Sequence, residues 1–255
     1  MTREKNRNAG AGRRRAAGQP DDDPGLNAPG YAAYVDEYYH QDISGRDILP
    51  AEDRVIPALT ALCYRGAEKV TERMVGAALD AGLEPRAVIE IFIQSALYSG
   101  LPRTEEAIAA ANRVFAARGI SLPDDPEDKR TVAQMDADGA AVMEKLHGPR
   151  QAGGYASPDN PVTFSLYQGA IRHGYGQLWV RPGLDLRQRV IAAIAGFTSA
   201  ALHDSLRKFA VSALNVGLSK DQVAEAAIQT APWNGLPIAL NGLTVISAAF
   251  DEAGV

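Results

Sequence analysis

Displacing the chain by 135 residues lays it upon itself without a gap, and this constrains the fold more than any other feature. Residues 54–120 and 189–255 agree at 18 of 67 positions. "RVIPALTAL" falls on "RVIAAIAGF", and "ALDAGLEPRAVIEIFIQSALYSGLP" on "ALNVGLSKDQVAEAAIQTAPWNGLP". Phe115 meets Phe250, and Gly119 meets Gly254. One unit is present twice, and copies with apolar faces are expected to bury them against each other as a pseudo-twofold pair.

Each unit reads as a run of helices. An apolar-periodic segment ends at Gly82 or Gly217, where glycine can take the left-handed conformation that closes a helix. The next helix starts at Pro85, or at Ser219 with Gln222 three residues on, and stops at Gly100 or Gly235 before Leu-Pro. A third helix follows, "RTEEAIAAANRVFAARG" or "IALNGLTVISAAFDEAG". No stretch alternates in the manner of a strand between hairpin turns. The expected fold class is all-α, two tandem helical repeats. The expected division is a disordered tail at 1–29, a first repeat at 30–120 with a tyrosine-rich lead, a linker and helix start at 121–139, and a second repeat at 140–255.

The tail prediction rests on composition: the first thirty residues hold six Lys or Arg and three consecutive Asp among Gly, Pro and Ala, with too little to bury to offset their ordering entropy. No basic stripe continues into the rest of the chain, whose net charge is -5, so no nucleic-acid partner is expected. The longest apolar runs stop well short of the roughly 18 residues that cross a bilayer, and the N-terminus does not read as a signal peptide. The expectation is a cytoplasmic protein without a membrane partner. The single cysteine, Cys63, rules out an internal disulfide or a two-cysteine redox couple.

Within residues 87–102, Glu90, Gln94 and Tyr98 recur four apart through an otherwise apolar helix, and Glu225, Gln229 and Trp233 repeat the pattern. Groups at i, i+4 and i+8 share one face, so a polar stripe runs through what reads as core. A buried carboxylate without partners costs several kcal/mol. The two stripes are therefore expected to face each other, or a cavity, where the repeats pack.

"YGQLWVRPGLDLRQR" followed by "ALNVGLSKDQVAEAAIQTAPWNGLP" resembles the carboxymuconolactone decarboxylase family, relatives of the AhpD-like alkylhydroperoxidases. The resemblance covers residues 54–120 and about 140–255, and the run from Trp179 to Asp185 is its more specific part. It implies a cofactor-free, all-helical protein whose single-repeat members form rings of dimers, so a duplicated chain would supply one dimer and assemble as a homotrimer. The chain also departs from the pattern. Where the family places a histidine, Met74 and Phe209 stand, and the peroxidase cysteines are replaced by Ala67 and Val70, and by Leu202 and Ser205. Peroxide reduction by a thiolate pair is excluded there, and any proton donor or base must come from elsewhere.

Decarboxylation leaves a carbanion delocalised into a carbonyl, which calls for a cation or hydrogen-bond donors and a proton source. Arg181 is the candidate grip on a carboxylate, by bidentate pairing. Glu225 and Glu90 are candidate proton-transfer groups, against the alternative that, with Gln94 and Gln229, they only bond across the repeat interface. His203 and His173 lie in segments near the expected pocket, with no third ligand to make His203 a metal site. Trp179, Tyr175, Trp233, Phe209 and Tyr98 are candidate linings for a flat small-molecule substrate, and His40, in "YVDEYYHQD", is a candidate lid residue. Three functions stay open on this reading: a cofactor-independent lyase or isomerase, by decarboxylation or by cyclisation or dehydration, acting on a carbonyl-bearing small molecule; a non-catalytic binding or assembly protein; and an altered redox protein.

Overall fold

The computed structural model of the protein describes residues 2–16, 28–148 and 160–255. Among these residues every regular element is helical. The chain runs α1 (Arg3–Ala16), α2 (Tyr31–Val35) continuing into a π-helical stretch π1 (Asp36–Ile43), α3 (Ala51–Arg65), α4 (Glu68–Asp80), α5 (Pro85–Ser99), α6 (Leu101–Ala117), α7 (Val132–His147), α8 (Pro161–Gly169) continuing into π2 (Ala170–Leu178), α9 (Leu186–Ser199), α10 (His203–Asn215), α11 (Lys220–Ile228), α12 (Ala231–Asn234) and α13 (Leu236–Ala253).

Helix α9 is buried on all sides from Arg189 to Ser199, and its counterpart α3 is buried from Ile56 to Cys63. Helices that are apolar all round belong at the centre, and α3 packs against α9 there, joining the two repeats. Helices α5 and α11 flank this pair, with α6 and α13 outside them. The tandem repeat thus folds as two helical units sharing one core.

Helix ends follow the local chemistry. Gly82 and Gly217 have φ of 93° and 86°, in the left-handed region that glycine tolerates. Capping boxes start α7, α9 and α11 at Thr131, Asp185 and Ser219. Helix α5 spans the expected Pro85 to Ser99, but its counterpart breaks after Ile228 into α11 and α12. Pro232, at the place of Leu97, has no N–H to give to the Ile228 carbonyl.

The leads hold the duplication too. Ser44 donates its N–H to the Tyr39 carbonyl at 2.8 Å, and Trp179 donates to the Gly174 carbonyl at 3.1 Å. Both are five-residue π bonds, and the pairs are related by the same 135-residue offset. Each π segment packs beneath a helix, π1 under α1 and π2 under α7. The approach is close enough that a Cβ at Gly10 would overlap the Asp36 carbonyl, and one at Gly139 or Gly176 the backbone of the opposing element.

The expected disordered tail is corrected in part. Residues 3–16 are the helix α1, its Arg14 bonded to the buried Asp36 at 2.7 Å and its Arg13 to Gln41. Of the charges that composition assigned to a solvated tail, Arg3, Arg13 and Arg14 instead pair with the lead. Residues 17–27 of that tail, and the loop at 149–159, lie outside the described residues. Residues 121–130 are irregular, yet Asp125 and Arg130 are bonded into the folded units. No helix among the described residues is long and apolar enough to cross a membrane.

Candidate functional site

The polar stripes are buried, with Glu90 0% and Glu225 1% exposed. Each glutamate is met by an arginine from the lead of the other repeat and not by its twin. Arg46 donates through Nε to both oxygens of Glu225, at 2.8 and 3.0 Å. Arg181 donates through Nε and Nη2 to Glu90, at 2.9 to 3.1 Å. Arg46 and Arg181 are themselves 135 positions apart, so the halves exchange arginines reciprocally.

The first stripe carries more charge than the second. Glu90 also accepts from Arg86 at 3.0 Å and from Arg189 at 3.2 Å. Arg189 is 1% exposed, and burial holds its guanidinium below the usual arginine range, with Glu90 opposing. Its fork reaches Gln94 Oε1 at 2.9 Å and the Arg181 carbonyl at 2.6 Å. Gln94 donates to the Arg189 carbonyl at 2.7 Å and to the Tyr98 hydroxyl at 3.2 Å. Asp125 pairs with Arg86 at 2.5 Å and Arg181 at 2.7 Å, and Arg86 first, then Arg181, hold its carboxyl below the ordinary range. In the second stripe, Gln229 donates to Glu225 at 2.8 Å and to the Ile43 carbonyl at 2.9 Å. There Asp221 occupies the place of Arg86.

Two aromatic clusters adjoin the stripes. In one, Tyr98 packs edge-on against Phe197 with ring centres 4.9 Å apart, and Phe197 lies 4.9 Å from Phe209. Phe209 lies 5.8 Å from Trp179, which lies 5.6 Å from Tyr175. Against Phe209, at 4.9 Å, stands the edge of His147, a residue 1% exposed. Its Nδ1 bonds Ser212 at 2.8 Å and its Nε2 bonds the Tyr175 hydroxyl at 3.2 Å. In the other cluster Tyr39 lies 5.0 Å from Trp233 and 4.6 Å from His40, with its hydroxyl 4.0 Å from the Met74 sulfur. Burial lowers the His40 imidazole below its ordinary value and raises the Tyr39 and Tyr98 hydroxyls.

The candidate residues therefore sort unevenly. Trp179, Tyr175, Phe209 and Tyr98 come together, while Trp233 belongs with Tyr39 and His40 in the other cluster. Arg181, expected to hold a substrate carboxylate, is committed to Glu90 and Asp125, and Glu90, expected to move protons, accepts from three guanidinium groups. Glu225 is likewise paired, with Arg46. His203 is exposed at the start of α10, and His173 is exposed and bonded to Gln177, so neither joins a cluster. His40, expected as a lid, is 3% exposed and sits inside. Arg46, Arg189 and His147 were not anticipated. Arg46 was recoverable, because the 135-residue offset carries Arg181 onto it. His147 was not, because the same offset places it on Gly12.

The described residues thus form duplicated helical units clasped through exchanged arginines, with a buried Glu-Gln stripe in each. Two segments, 29–113 and 165–248, match the carboxymuconolactone decarboxylase family, and the chain belongs to that family. A 4-carboxymuconolactone decarboxylase of Acinetobacter baylyi is 27% identical over 84 residues, which is 33% of this chain and 63% of that relative. The match thus spans less than two thirds of the relative's length.

Proposed function

We propose that this chain is a decarboxylase-type lyase, or an isomerase of the same chemistry, acting on a small carbonyl-bearing carboxylate. The observation that carries the reading is that both halves match the decarboxylase family and hold an arginine at a buried carboxylate beside an aromatic cluster. In such a reaction the bond to the departing carboxylate breaks and carbon dioxide leaves. The electron pair moves into the carbonyl, and the carbon then takes a proton. Guanidinium and N–H donors suit the developing oxyanion because they are fixed before the charge appears. A thiolate route is disfavoured, since Cys63 is buried and burial raises its thiol above the ordinary range.

Assembly as a homotrimer belongs to the same reading. Leu101 and Leu236, which are twins under the repeat, are both exposed at the start of the last helix of their unit. Two equivalent apolar projections suit a surface that meets further copies.

The test is incubation with 4-carboxymuconolactone and related lactone and keto acids in heavy water. Released carbon dioxide, or carbon-bound deuterium in the product, is the expected outcome. Tight binding without either overturns the catalytic reading in favour of a binding protein, a second reading that the saturated bonding of Arg181 favours.

A further inference from the structure

The two halves descend from one unit, yet their polar groups are spent differently. In the second-half cluster most of the groups that could meet a ligand are engaged, although Arg189 Nε is buried without a partner. Arg181 holds Glu90 and Asp125, Tyr98 is bonded to Gln94, and Tyr175 and His147 are bonded to each other. The rings of Tyr98, Phe197, Phe209, His147 and Tyr175 follow one another in contact. A Cβ on Gly196 would overlap the Tyr98 ring.

The first-half cluster is different at the same positions. His40 stands where Tyr175 stands, Trp233 where Tyr98 stands, and Gly12 where His147 stands. His40 Nε2 and Trp233 Nε1 are buried and without a hydrogen-bond partner, although their rings both lie within 5.0 Å of Tyr39. Arg46 uses only Nε on Glu225. Its two terminal nitrogens have no partner among the described residues, and its side chain is 41% exposed.

Buried donors left unpaired are costly, and native proteins retain few of them without a reason. The two buried ring nitrogens and the partly exposed Arg46 all lie where the first lead meets α11 and α12. That contact is fixed by Arg46 on Glu225, by Gln229 on the Ile43 carbonyl and by Tyr39 on Trp233.

We propose that the working pocket lies in the first half, where Arg46 takes the carboxylate of a flat carbonyl-bearing acid and Trp233 and His40 take its carbonyl end, while the second-half counterpart is filled and structural. This rests on the lyase or isomerase reading above. Arg46 at the rim supplies a charged fork for a carboxylate. The indole N–H supplies a donor to a carbonyl oxygen, and the imidazole supplies a group that can donate or accept. Tyr39 and Met74 supply apolar surface for the body of the ligand.

The chain has two tryptophans, one in each cluster, so each reports on its own half. The experiment is a titration of the uniformly 15N-labelled full chain with 4-carboxymuconolactone, following both indole N–H signals by NMR. The Trp233 signal should move on binding and the Trp179 signal should stay. Arg46→Ala and His40→Gln should each weaken binding about tenfold or more, as loss of a direct polar contact to a bound acid does, while Tyr175→Phe leaves it unchanged. His40→Asn, and Trp233→Phe with its binding read by calorimetry, guard against a variant that fails to fold. Movement of Trp179 first, or loss of binding in Tyr175→Phe and not in His40→Gln, overturns the assignment of the pocket and leaves the functional reading standing. No response at either indole, together with no turnover of this acid, overturns the functional reading and the pocket with it.

Discussion

Arg46 lies 2.8 Å from Glu225 across 179 residues of sequence, and Arg181 lies 2.9 Å from Glu90 across 91. The two pairs are one interaction written twice, each tying the lead of one repeat to the stripe of the other. Their surroundings differ, and most of what can be predicted follows from that difference.

Glu90 is buried under three guanidinium groups, Arg189 at 1% exposed and Arg86 and Arg181 at 24% and 26%, whereas Glu225 is met by the guanidinium of Arg46 alone, which is 41% exposed. Removing one partner of a buried ion pair strands the others. Glu90→Gln should therefore cost about 3–5 kcal/mol of stability. Glu225→Gln should cost about 1–3 kcal/mol, because its cation can be hydrated. Urea unfolding of both variants gives the order, and equal losses would refute it.

Gly196 leaves room for Tyr98 where the two repeats cross. Gly196→Ala should destabilise by about 1–3 kcal/mol through overpacking, and Tyr98→Leu in the same chain should return part of that loss. Thermal unfolding of the single and double variants measures the coupling. The twin position already carries Ala61, buried at the core, so a Cβ is tolerated on that side.

Burial lowers the His40 imidazole below its ordinary value of 6.5, with Asp36 opposing and Arg14 reinforcing the shift. As pH falls through about 6.5 the unfolded chain binds a proton that the folded chain refuses. The unfolded state then holds more protons, and stability falls toward acid. This contribution is complete above the unfolded value and is lost as pH falls toward the folded one. His40→Gln should accordingly show a shallower decline in unfolding free energy below pH 6.5 than the parent. Parallel curves would show that His40 does not titrate differently on folding.

Helix α1 is held by Arg14 on Asp36 and by the close approach at Gly10. Gly10→Leu should push it off the lead, and trypsin should then cut within residues 3–16 about tenfold faster or more, as expected for a locally opened segment. Unchanged cleavage would mean that α1 does not depend on this contact.

The helical architecture was legible because its signals are local. Gly82 and Gly217, Pro85, the Ser219 capping box and the Gly100–Pro102 and Gly235–Pro237 stops each act within one turn, and the duplication made each signal visible twice. Burial of Glu90 and Glu225 was legible from helical spacing alone. Their arginine partners were not, since a contact across 91 or 179 residues leaves no periodicity. Nor was the folding of α1, because its charges look like solvation until Asp36 is seen opposite Arg14. The sequence pattern also pooled Trp233 with Trp179, as it shows aromatic positions without showing which repeat's lead covers each one.

The reciprocal exchange of arginines is tested most directly by a double-mutant cycle on Arg181 and Glu90. Arg181→Ala, Glu90→Ala and the double variant would be unfolded in urea against the parent. The account predicts a coupling of about 2 kcal/mol or more, as for partners in one buried network. Losses that simply add, to within about 0.5 kcal/mol, would contradict it.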